Sequence, residues 1–320
     1  MCFLLVFLVS SACSLPVSIL PIRATPTATP VPTNTWIPLP PISPEFDTSR
    51  VGTVAENVVY CTIDDVALKM DIYFPERASS AWAAVMYVHG GGWGSGDKTR
   101  GAGIEEVPAL VEAGFLVAAV NYRLAPEYSF PAMIEDLRCA VRYLRAHAGE
   151  LNLDPLRIGA FGTSAGGHLV ALMGTAGDMT AWDVGEYLGQ SSRVQAVVDY
   201  FGPTDLTNPE YLAVIDWEYL QALGARDTHD PALAVASPVN YVTPDDPPFL
   251  IMHGDKDDAV ALKHSTRLYD LLQQAGVPSE LVVVLNGGHG FAQAGERPMD
   301  PSREEIIQLT VDFFLEELLK

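Results

Sequence analysis

Residues 157–176 read RIGAFGTSAGGHLVALMGTA, and this stretch decides how the chain folds. A buried-strand pattern at 157–161 runs directly into Gly162-Thr163-Ser164-Ala165-Gly166, and a helix-like run follows at 168–176. Small residues on both sides of Ser164 allow a sharp strand-to-helix turn, which would lift the serine hydroxyl above a sheet and place it at a helix N-terminus. The alternative is an ordinary glycine-rich turn whose serine caps the helix. The position between a strand and a helix favours the exposed serine.

The same alternation of strands and helices extends over most of the chain. Near-continuous apolar runs are typical of strands that are buried on both faces of a parallel sheet, and they occur at 83–88, 116–120, 157–161, 194–200, 249–252 and 280–285. An amphipathic helix is predicted at 132–148, and two earlier strands, at about 56–62 and 67–74, predict an antiparallel edge. The pattern predicts a doubly wound α/β sheet. Residues 205–236 break the rhythm and predict an insertion over the carboxyl edge of the sheet, where ligands bind in such folds.

A second glycine-rich segment, HGGGW at residues 89–93, follows the predicted strand at 83–88. Consecutive glycines let backbone N–H groups approach a developing alkoxide without clashes from Cβ atoms. Gly91 and Gly92, together with the N–H of Ala165, are therefore the predicted oxyanion donors. The alternative is a nucleotide-phosphate loop, but neither G-x-x-x-x-G-K-[ST] nor G-x-G-x-x-G with a downstream acid is present here.

An acidic segment and a late histidine complete the candidate site. HGDKDD at 253–258 follows the predicted strand at 249–252, and GGHGF at 287–291 follows the last predicted strand. Serine is a weak nucleophile until an imidazole can take its proton, and the imidazole needs a carboxylate to orient it. Of the seven histidines, His289 alone lies in a glycine-flanked loop after the last strand, whereas His89 and His253 belong to glycine turns. For the acid, four residues compete: Asp205, Asp255, Asp257 and Asp258.

The composition narrows the classes of protein. The chain has 320 residues, of which 48% are apolar and 18% charged, and it is too apolar for a disordered protein. Lys and Arg number 19 against 40 for Asp and Glu, and the net charge of −21, with scattered lysines, argues against a nucleic-acid partner. The four cysteines are too few for a disulfide-rich scaffold and form no C-x-x-C pair that would predict zinc. Nothing local decides whether Cys61 and Cys139 pair.

Residues 1–13 have the pattern of an export signal. The apolar run at 2–9 is too short for a permanent membrane helix, which needs about 20 residues, but has the length of a signal-peptide core. Ser10-Ser11-Ala12-Cys13 is similar to the lipobox of bacterial lipoproteins, although Ser10 stands where that motif has Leu and no basic residue precedes the run. We predict an exported, extracellular or cell-envelope protein, with lipidation of Cys13 as the finer hypothesis. The alternative is a disordered N-terminus with a chance cysteine.

A proline-rich linker is predicted over residues 14–50. Residues 25–44, TPTATPVPTNTWIPLPPISP, hold seven of the 24 prolines. Proline fixes φ and removes backbone donors, so this stretch should be an extended, polyproline-like spacer. It would connect the signal to a folded domain at 51–320. A ligand for proline-binding modules is the alternative, but it would need an intracellular setting.

Over roughly residues 55–318, the chain resembles the α/β-hydrolase superfamily, in the branch of hormone-sensitive-lipase-like esterases and bacterial feruloyl esterase/xylan deacetylase-type domains. Beyond HGGGW and GTSAGGH, the resemblance rests on NYRLAPE at 121–127, FPA at 130–132, SPVNY at 237–241 and HGDKDDAV at 253–260. In the enzymes that this chain resembles, the acid stands three positions after the glycine of the His-Gly pair, which here is Asp257. The chain departs in two ways from the pattern of hormone-sensitive-lipase-like esterases. Those enzymes usually have Asp before the serine, where this chain has Thr163, and HGDKDDAV is more similar to the acid segment of the feruloyl esterase/deacetylase type. Both departures favour the second type.

The resemblance implies a serine carboxylic-ester hydrolase of small-molecule or polysaccharide esters, with Ser164 as nucleophile, His289 as base and Asp257 as the orienting acid. It implies no metal and no cofactor. The aromatic candidates for the substrate pocket are Trp93, Tyr128, Trp217 and Phe291, each of which could equally be a core residue. Arg123, Glu127 and Asp136 are expected to be structural. The alternatives are a prolyl-oligopeptidase-like serine peptidase and a non-catalytic binding module on the same fold. The sequence does not indicate an oligomeric state.

Overall fold

The computed structural model describes residues 52–76, 79–215 and 217–320. The predicted export signal at 1–13, with its lipidation site Cys13, and the predicted linker at 14–50 lie outside the described residues. None of the helices in the described ranges combines the length and apolar character that crossing a membrane requires.

Eight strands and seven helices alternate along the described chain. The strands are β1 (Val54–Ile63), β2 (Val66–Tyr73), β3 (Trp82–Val88), β4 (Leu116–Val120), β5 (Leu153–Thr163), β6 (Val197–Tyr200), β7 (Phe249–Gly254) and β8 (Ser279–Val284). The helices are α1 (Glu106–Ala113), α2 (Ala132–Ala146), α3 (Ala165–Thr175), α4 (Trp217–Ala222), α5 (Pro231–Val235), α6 (Lys263–Ala275) and α7 (Arg303–Leu318). Short 3₁₀ turns lie at Thr180–Trp182, Leu212–Val214, Pro238–Asn240 and His289–Phe291.

The strands form one sheet in the order β1-β2-β4-β3-β5-β6-β7-β8. β1 pairs antiparallel with β2, and β2 antiparallel with β4, so the predicted antiparallel edge is confirmed. From β4 to β8 every neighbouring pair is parallel. The predicted α/β-hydrolase sheet is therefore present, with strand ends that differ by a few residues. For example, Leu285 was expected at the end of β8 but instead forms an isolated bridge with Asp300.

Helices cover both faces of the sheet, which explains why the central strands have no polar face. Along β3, Ala84, Met86 and Val88 lie in the core on one face, together with the apolar residues of α2 and α3. Val85 and Tyr87 lie in the core on the other face, with apolar residues of α1 and α7. A strand with side chains buried on both faces reads as a continuous apolar run, as predicted for 83–88.

A disulfide joins the antiparallel edge to a helix. Cys61 of β1 and Cys139 of α2 are bonded, and both are almost fully buried. The sequence had left this pairing open, because the two residues are 78 positions apart.

The register of the central strands brings the glycine-rich segments together. Val88, the last residue of β3, is paired with Gly162 of β5, and Thr163 is paired with Tyr200 of β6. The segments after β3, β5 and β6 therefore leave the sheet at the same edge. The loops after β7 and β8 leave at that edge as well, because Gly254 is paired with Val284.

Candidate active site

Ser164 stands at a strained turn between β5 and α3. Its backbone has φ 55° and ψ −117°, a conformation that residues with a side chain rarely adopt. The glycines on either side of Ser164 are required because backbone carbonyl oxygens lie too close to them for a side chain to fit. A Cβ on Gly162 would lie 2.4 Å from the carbonyl oxygen of Gly166, and one on Gly166 would lie 2.2 Å from that of Val88. The predicted sharp turn is therefore present, and it places the Ser164 hydroxyl at the carboxyl edge of the sheet.

The structure brings Ser164, His289 and Asp257 into one hydrogen-bonded series. Nε2 of His289 lies 3.1 Å from Oγ of Ser164, and Nδ1 of His289 lies 2.8 Å from Oδ2 of Asp257. A carboxylate can only accept, so Nδ1 carries the proton and the unprotonated Nε2 faces the serine hydroxyl. The His289 side chain is 30% exposed and that of Asp257 is fully buried. His289 can therefore take the serine proton at Nε2. Of His289 and Asp257, only His289 lines the cavity.

Asp257 is held as an ionised carboxylate. Its Oδ1 accepts hydrogen bonds from the backbone N–H groups of Ala259 (2.9 Å) and Val260 (2.8 Å). Burial by itself would raise the pKa of Asp257, but the hydrogen bonds from His253 and His289 hold that pKa far below its ordinary value. Two of the three competing acids are engaged elsewhere: Asp255 accepts from the N–H of Asn286 at 2.6 Å, and Asp205 caps its own turn at Thr207. The third, Asp258, is exposed.

His253 is a residue of this site that the sequence reasoning assigned only to a glycine turn. It is fully buried, and its Nε2 lies 2.9 Å from the Val260 carbonyl oxygen and 3.3 Å from Oδ2 of Asp257. Because both neighbours are acceptors, Nε2 is the protonated nitrogen, and Nδ1 accepts from the Ser265 hydroxyl at 2.7 Å. His253 therefore stabilises the position of Asp257 and of the loop that carries it, through contacts with Asp257 and Val260. Its place four residues before the acid was the available signal.

The predicted oxyanion donors line the same cavity as Ser164. Gly91, Gly92 and Ala165 all border it. No backbone hydrogen bond among the described loops and turns uses the N–H of Gly91 or Gly92, and Ala165, as the first residue of α3, has an N–H without a partner inside the helix. These N–H groups are available to a negatively charged oxygen; their role as the oxyanion hole stays a prediction.

The buried side chain of His168 contacts the glycine-rich segment at residues 89–93. The indole N–H of Trp93 donates to Nδ1 of His168 at 3.1 Å, and Nε2 of His168 donates to the Ala236 carbonyl oxygen at 2.7 Å. Burial lowers the pKa of His168 to about 4, so the ring is neutral at neutral pH. The neutral ring connects the glycine-rich loop, α3 and the end of the predicted insertion.

The cavity in front of Ser164 has a volume of about 440 Å³. Its apolar wall comes from four segments of the chain and includes Trp93, Phe201, Pro203, Ile215, Tyr219, Ala259 and Val260. Ile215 and Tyr219 belong to the predicted insertion, and the Tyr219 ring lies so close to Gly92 that a Cβ there would come within 2.3 Å of it. The insertion therefore covers the glycine-rich loop.

Of the four aromatic residues predicted for the pocket, the structure places Trp93 at the cavity and the other three outside it. Phe291 is buried against Phe201, with ring centroids 4.9 Å apart. Tyr128 lies under the guanidinium of Arg123, at 5.4 Å. Trp217 lies on α4 two positions before Tyr219, and side chains two positions apart on a helix point in nearly opposite directions. Tyr219 lines the cavity and Trp217 does not.

The expected structural residues Arg123, Glu127 and Asp136 do not line the cavity. Nε of Arg123 donates to Oδ1 of Asp136 at 2.9 Å in a buried pair, and its other nitrogens reach Asp64 and Glu135. Glu127 is exposed. Across the described residues, no group of three or more His, Cys, Asp or Glu side chains is placed to hold a metal ion.

Comparisons with known proteins show which family and which proteins this chain is similar to. The family model BD-FAE matches residues 70–272. Esterase LipQ of Mycobacterium tuberculosis is 32% identical over 222 residues, which are 68% of this chain and 52% of that protein. Esterase LipC of the same organism is 29% identical over 234 residues, or 71% of this chain and 58% of that protein. This chain spans just over half the length of these two relatives.

Solved structures share the fold over most of the chain. A truncated form of a carbohydrate esterase from gut microbiota has a TM-score of 0.73 and 30% identity, covering 85% of this chain and 98% of that one. The butyrate-bound esterase Est2 of Thermogutta terrifontis has a TM-score of 0.68 and 25% identity, covering 84% and 95%.

Proposed function

Because the chain belongs to the BD-FAE family of α/β-hydrolases, we propose that it is a serine carboxylic-ester hydrolase that works through an acyl-enzyme. The observation that carries the proposal is the hydrogen-bonded series of Ser164, His289 and Asp257 at the edge of a cavity bordered by free backbone N–H groups. The two relatives and the solved structures described above are named esterases, which supports the same reaction.

In the first half of the reaction, Oγ of Ser164 attacks the acyl carbon while its proton passes to Nε2 of His289. The tetrahedral intermediate collapses, the bond to the alcohol oxygen breaks, and the alcohol leaves with the proton from Nε2. Asp257, kept ionised by its hydrogen bonds, stabilises the imidazolium that exists between these two steps. The product is an ester between the acyl group and Ser164.

In the second half, a water molecule gives a proton to Nε2 of His289 and attacks the acyl carbon. The acid leaves, and the proton returns to Oγ of Ser164. In both halves the N–H groups of Gly91, Gly92 and Ala165 would hold the negative oxygen. Losing one such donor typically lowers turnover by about 10²–10³.

The substrates that the site supports are short-chain or carbohydrate-linked acyl esters. A cavity of about 440 Å³ with a largely apolar wall suits a small acyl group, and its open side leaves room for a bulky alcohol. One of the similar solved structures is named a carbohydrate esterase and another holds butyrate, which supports both parts of this proposal.

We also propose that the enzyme is exported and tethered through Cys13 by the proline-rich linker. Disulfides persist in oxidising compartments, so the bond between Cys61 and Cys139 supports export. Expression of the full chain and of Cys13→Ala in a bacterial host tests the tether. We expect the wild type in the membrane fraction and the variant in the soluble exported fraction. The same fraction for both would contradict lipidation.

The experiment for the reaction is hydrolysis of 4-nitrophenyl esters from acetate to decanoate, beside acetylated xylan and methyl ferulate. Ser164→Ala is the control, because it keeps the fold and removes the nucleophile. We expect activity that disappears in Ser164→Ala, is highest for the short acyl chains and extends to at least one polysaccharide ester. A folded protein that hydrolyses none of these esters would contradict the proposal, and cleavage of a proline-containing peptide would then favour the serine peptidase.

A further inference from the structure

One charged side chain among the residues that line the catalytic cavity has no role in the reaction described above. This residue is Arg100, in the segment between β3 and α1, and it borders the cavity together with Ser164 and His289. The other lining residues are glycine, apolar, aromatic or hydroxyl-bearing, apart from His289 itself. Arg100 is therefore the one permanent charge at this cavity within the described residues, and no carboxylate lines it.

The guanidinium of Arg100 is also unpaired. Within the described ranges, no carboxylate lies at ion-pair distance from it, and the hydrogen bonds that Arg100 makes there come from its backbone. Most other arginines of the described chain bind carboxylates, among them Arg123, Arg138, Arg142, Arg193 and Arg303. Arg145, by contrast, binds the carbonyl oxygens of Pro155, Ser191 and Arg193. What distinguishes Arg100 is therefore its place at the cavity that contains Ser164.

The backbone that carries Arg100 is held in place. The Tyr87 hydroxyl donates to the carbonyl oxygens of Arg100 (3.3 Å) and Ala102 (3.1 Å). The Thr163 hydroxyl donates to the same oxygen of Ala102 at 2.9 Å. Since Thr163 precedes the nucleophile, the segment is fixed relative to Ser164, and the Arg100 side chain extends from a rigid base.

The position of this segment indicates which part of the substrate Arg100 faces. A Cβ on Gly290 would lie 3.8 Å from the Cβ of Ala102, so the segment is a neighbour of the loop that carries His289. The leaving alcohol must lie next to Nε2 of His289, because that atom protonates it. The segment that carries Arg100 therefore lies on the His289 side of the cavity, where the alcohol must lie, whereas Tyr219 lies against Gly92 of the oxyanion donors.

We propose that Arg100 binds a carboxylate carried by the alcohol part of the substrate, so that the preferred esters are those of hydroxy acids or acidic sugars. This inference rests on the proposed ester hydrolysis. A guanidinium binds a planar carboxylate through two parallel hydrogen bonds. A singly charged group matches one arginine, whereas a phosphate dianion would bring a second negative charge into a cavity with nothing to neutralise it.

The test compares two acetyl esters that differ in one charge, 4-acetoxybenzoate and its methyl ester. The readout is the ratio of kcat/KM for the anionic ester to that for the neutral ester. In Arg100→Gln we expect this ratio to fall about fivefold, which corresponds to about 1 kcal/mol, with most of the change in KM and a smaller effect in high salt. Arg100→Lys should recover part of the ratio. 4-Acetoxyphenyl phosphate should show no comparable dependence on Arg100.

The matched control is Arg297→Gln, which removes the same charge from an exposed position outside the cavity. An equal fall of the ratio in both variants would assign the effect to net charge and overturn the proposal, as would an unchanged ratio in Arg100→Gln. If the wild type hydrolyses the neutral ester and only the ratio fails to respond, the esterase function stands without the carboxylate site. If the wild type hydrolyses neither ester, both proposals fail.

Discussion

Removing the disulfide between Cys61 and Cys139 should lower the stability of the fold by a predictable amount. The bond joins the edge strand β1 to α2 across 78 positions of sequence. In the chain-entropy model, a cross-link that closes a loop of that length lowers the entropy of the unfolded state. This raises the free energy of the unfolded state by about 4.5 kcal/mol at 25 °C. With an unfolding entropy of about 2.1 cal/mol/K per residue over roughly 270 residues, this corresponds to a fall in Tm of about 8 °C.

The assay is thermal unfolding with and without a thiol reductant, followed by circular dichroism, on the wild type and on Cys61→Ala/Cys139→Ala. Reduction leaves every side chain in place, so the wild type reports the cross-link alone. The double variant also loses two buried sulfur atoms and should melt somewhat lower than the reduced wild type. Its Tm should not respond to reductant.

Two results would refute this reasoning. One is a wild-type Tm that is the same with and without reductant. The other is mass spectrometry of the unreduced protein that finds Cys61 and Cys139 as free thiols.

Three further predictions concern the scaffold of the site. Gly166→Ala would place a Cβ 2.2 Å from a carbonyl oxygen of β3, so we expect urea denaturation to show a free energy of unfolding lower by about 3 kcal/mol. The control is Gly149→Ala, whose Cβ would meet nothing within 4 Å. Equal losses of stability in the two variants would contradict the packing argument. His253→Leu removes the donor behind Asp257 and should lower kcat for 4-nitrophenyl acetate about tenfold, with partial recovery in His253→Gln; a kcat within twofold of wild type would show that the contact is dispensable. Burial lowers the pKa of His168 to about 4, so unfolding takes up a proton below pH 6.5 and stability is lost as the pH falls from 6.5 to 4. In His168→Asn, the slope of unfolding free energy against pH in that window should be shallower by about 1 kcal/mol per pH unit, and an unchanged slope would contradict the buried neutral ring.

The strands and the order of the chemical groups were predictable because both are local signals. A strand buried on both faces must be apolar at every position, and a nucleophile at a tight turn needs glycines at fixed offsets. Ser164, His289 and the glycine-rich loop follow from those requirements. The choice of Asp257 among neighbouring acids came from the family resemblance, since residues one or two positions apart in a turn cannot be ranked by pattern alone.

The parts that escaped prediction depend on contacts between distant segments. The pairing of Cys61 and Cys139 requires β1 to lie beside α2, which no local pattern encodes. In α4 the sequence favoured Trp217, but the phase of the helix turns Tyr219 toward the cavity instead. Phe291 stands two residues after His289 in sequence, yet its ring packs against Tyr200 and Phe201. Arg100 belongs to no sequence motif, and only the structure shows that it lines the cavity.

The central claim is that Ser164 is an activated nucleophile, and covalent labelling of the folded protein with a fluorophosphonate tests it most directly. Peptide mass spectrometry should find one adduct per chain, located on Ser164. The adduct should be absent in Ser164→Ala and should form far more slowly in His289→Ala. A folded wild-type protein that stays unlabelled, or that carries its adduct on another residue, would contradict the account.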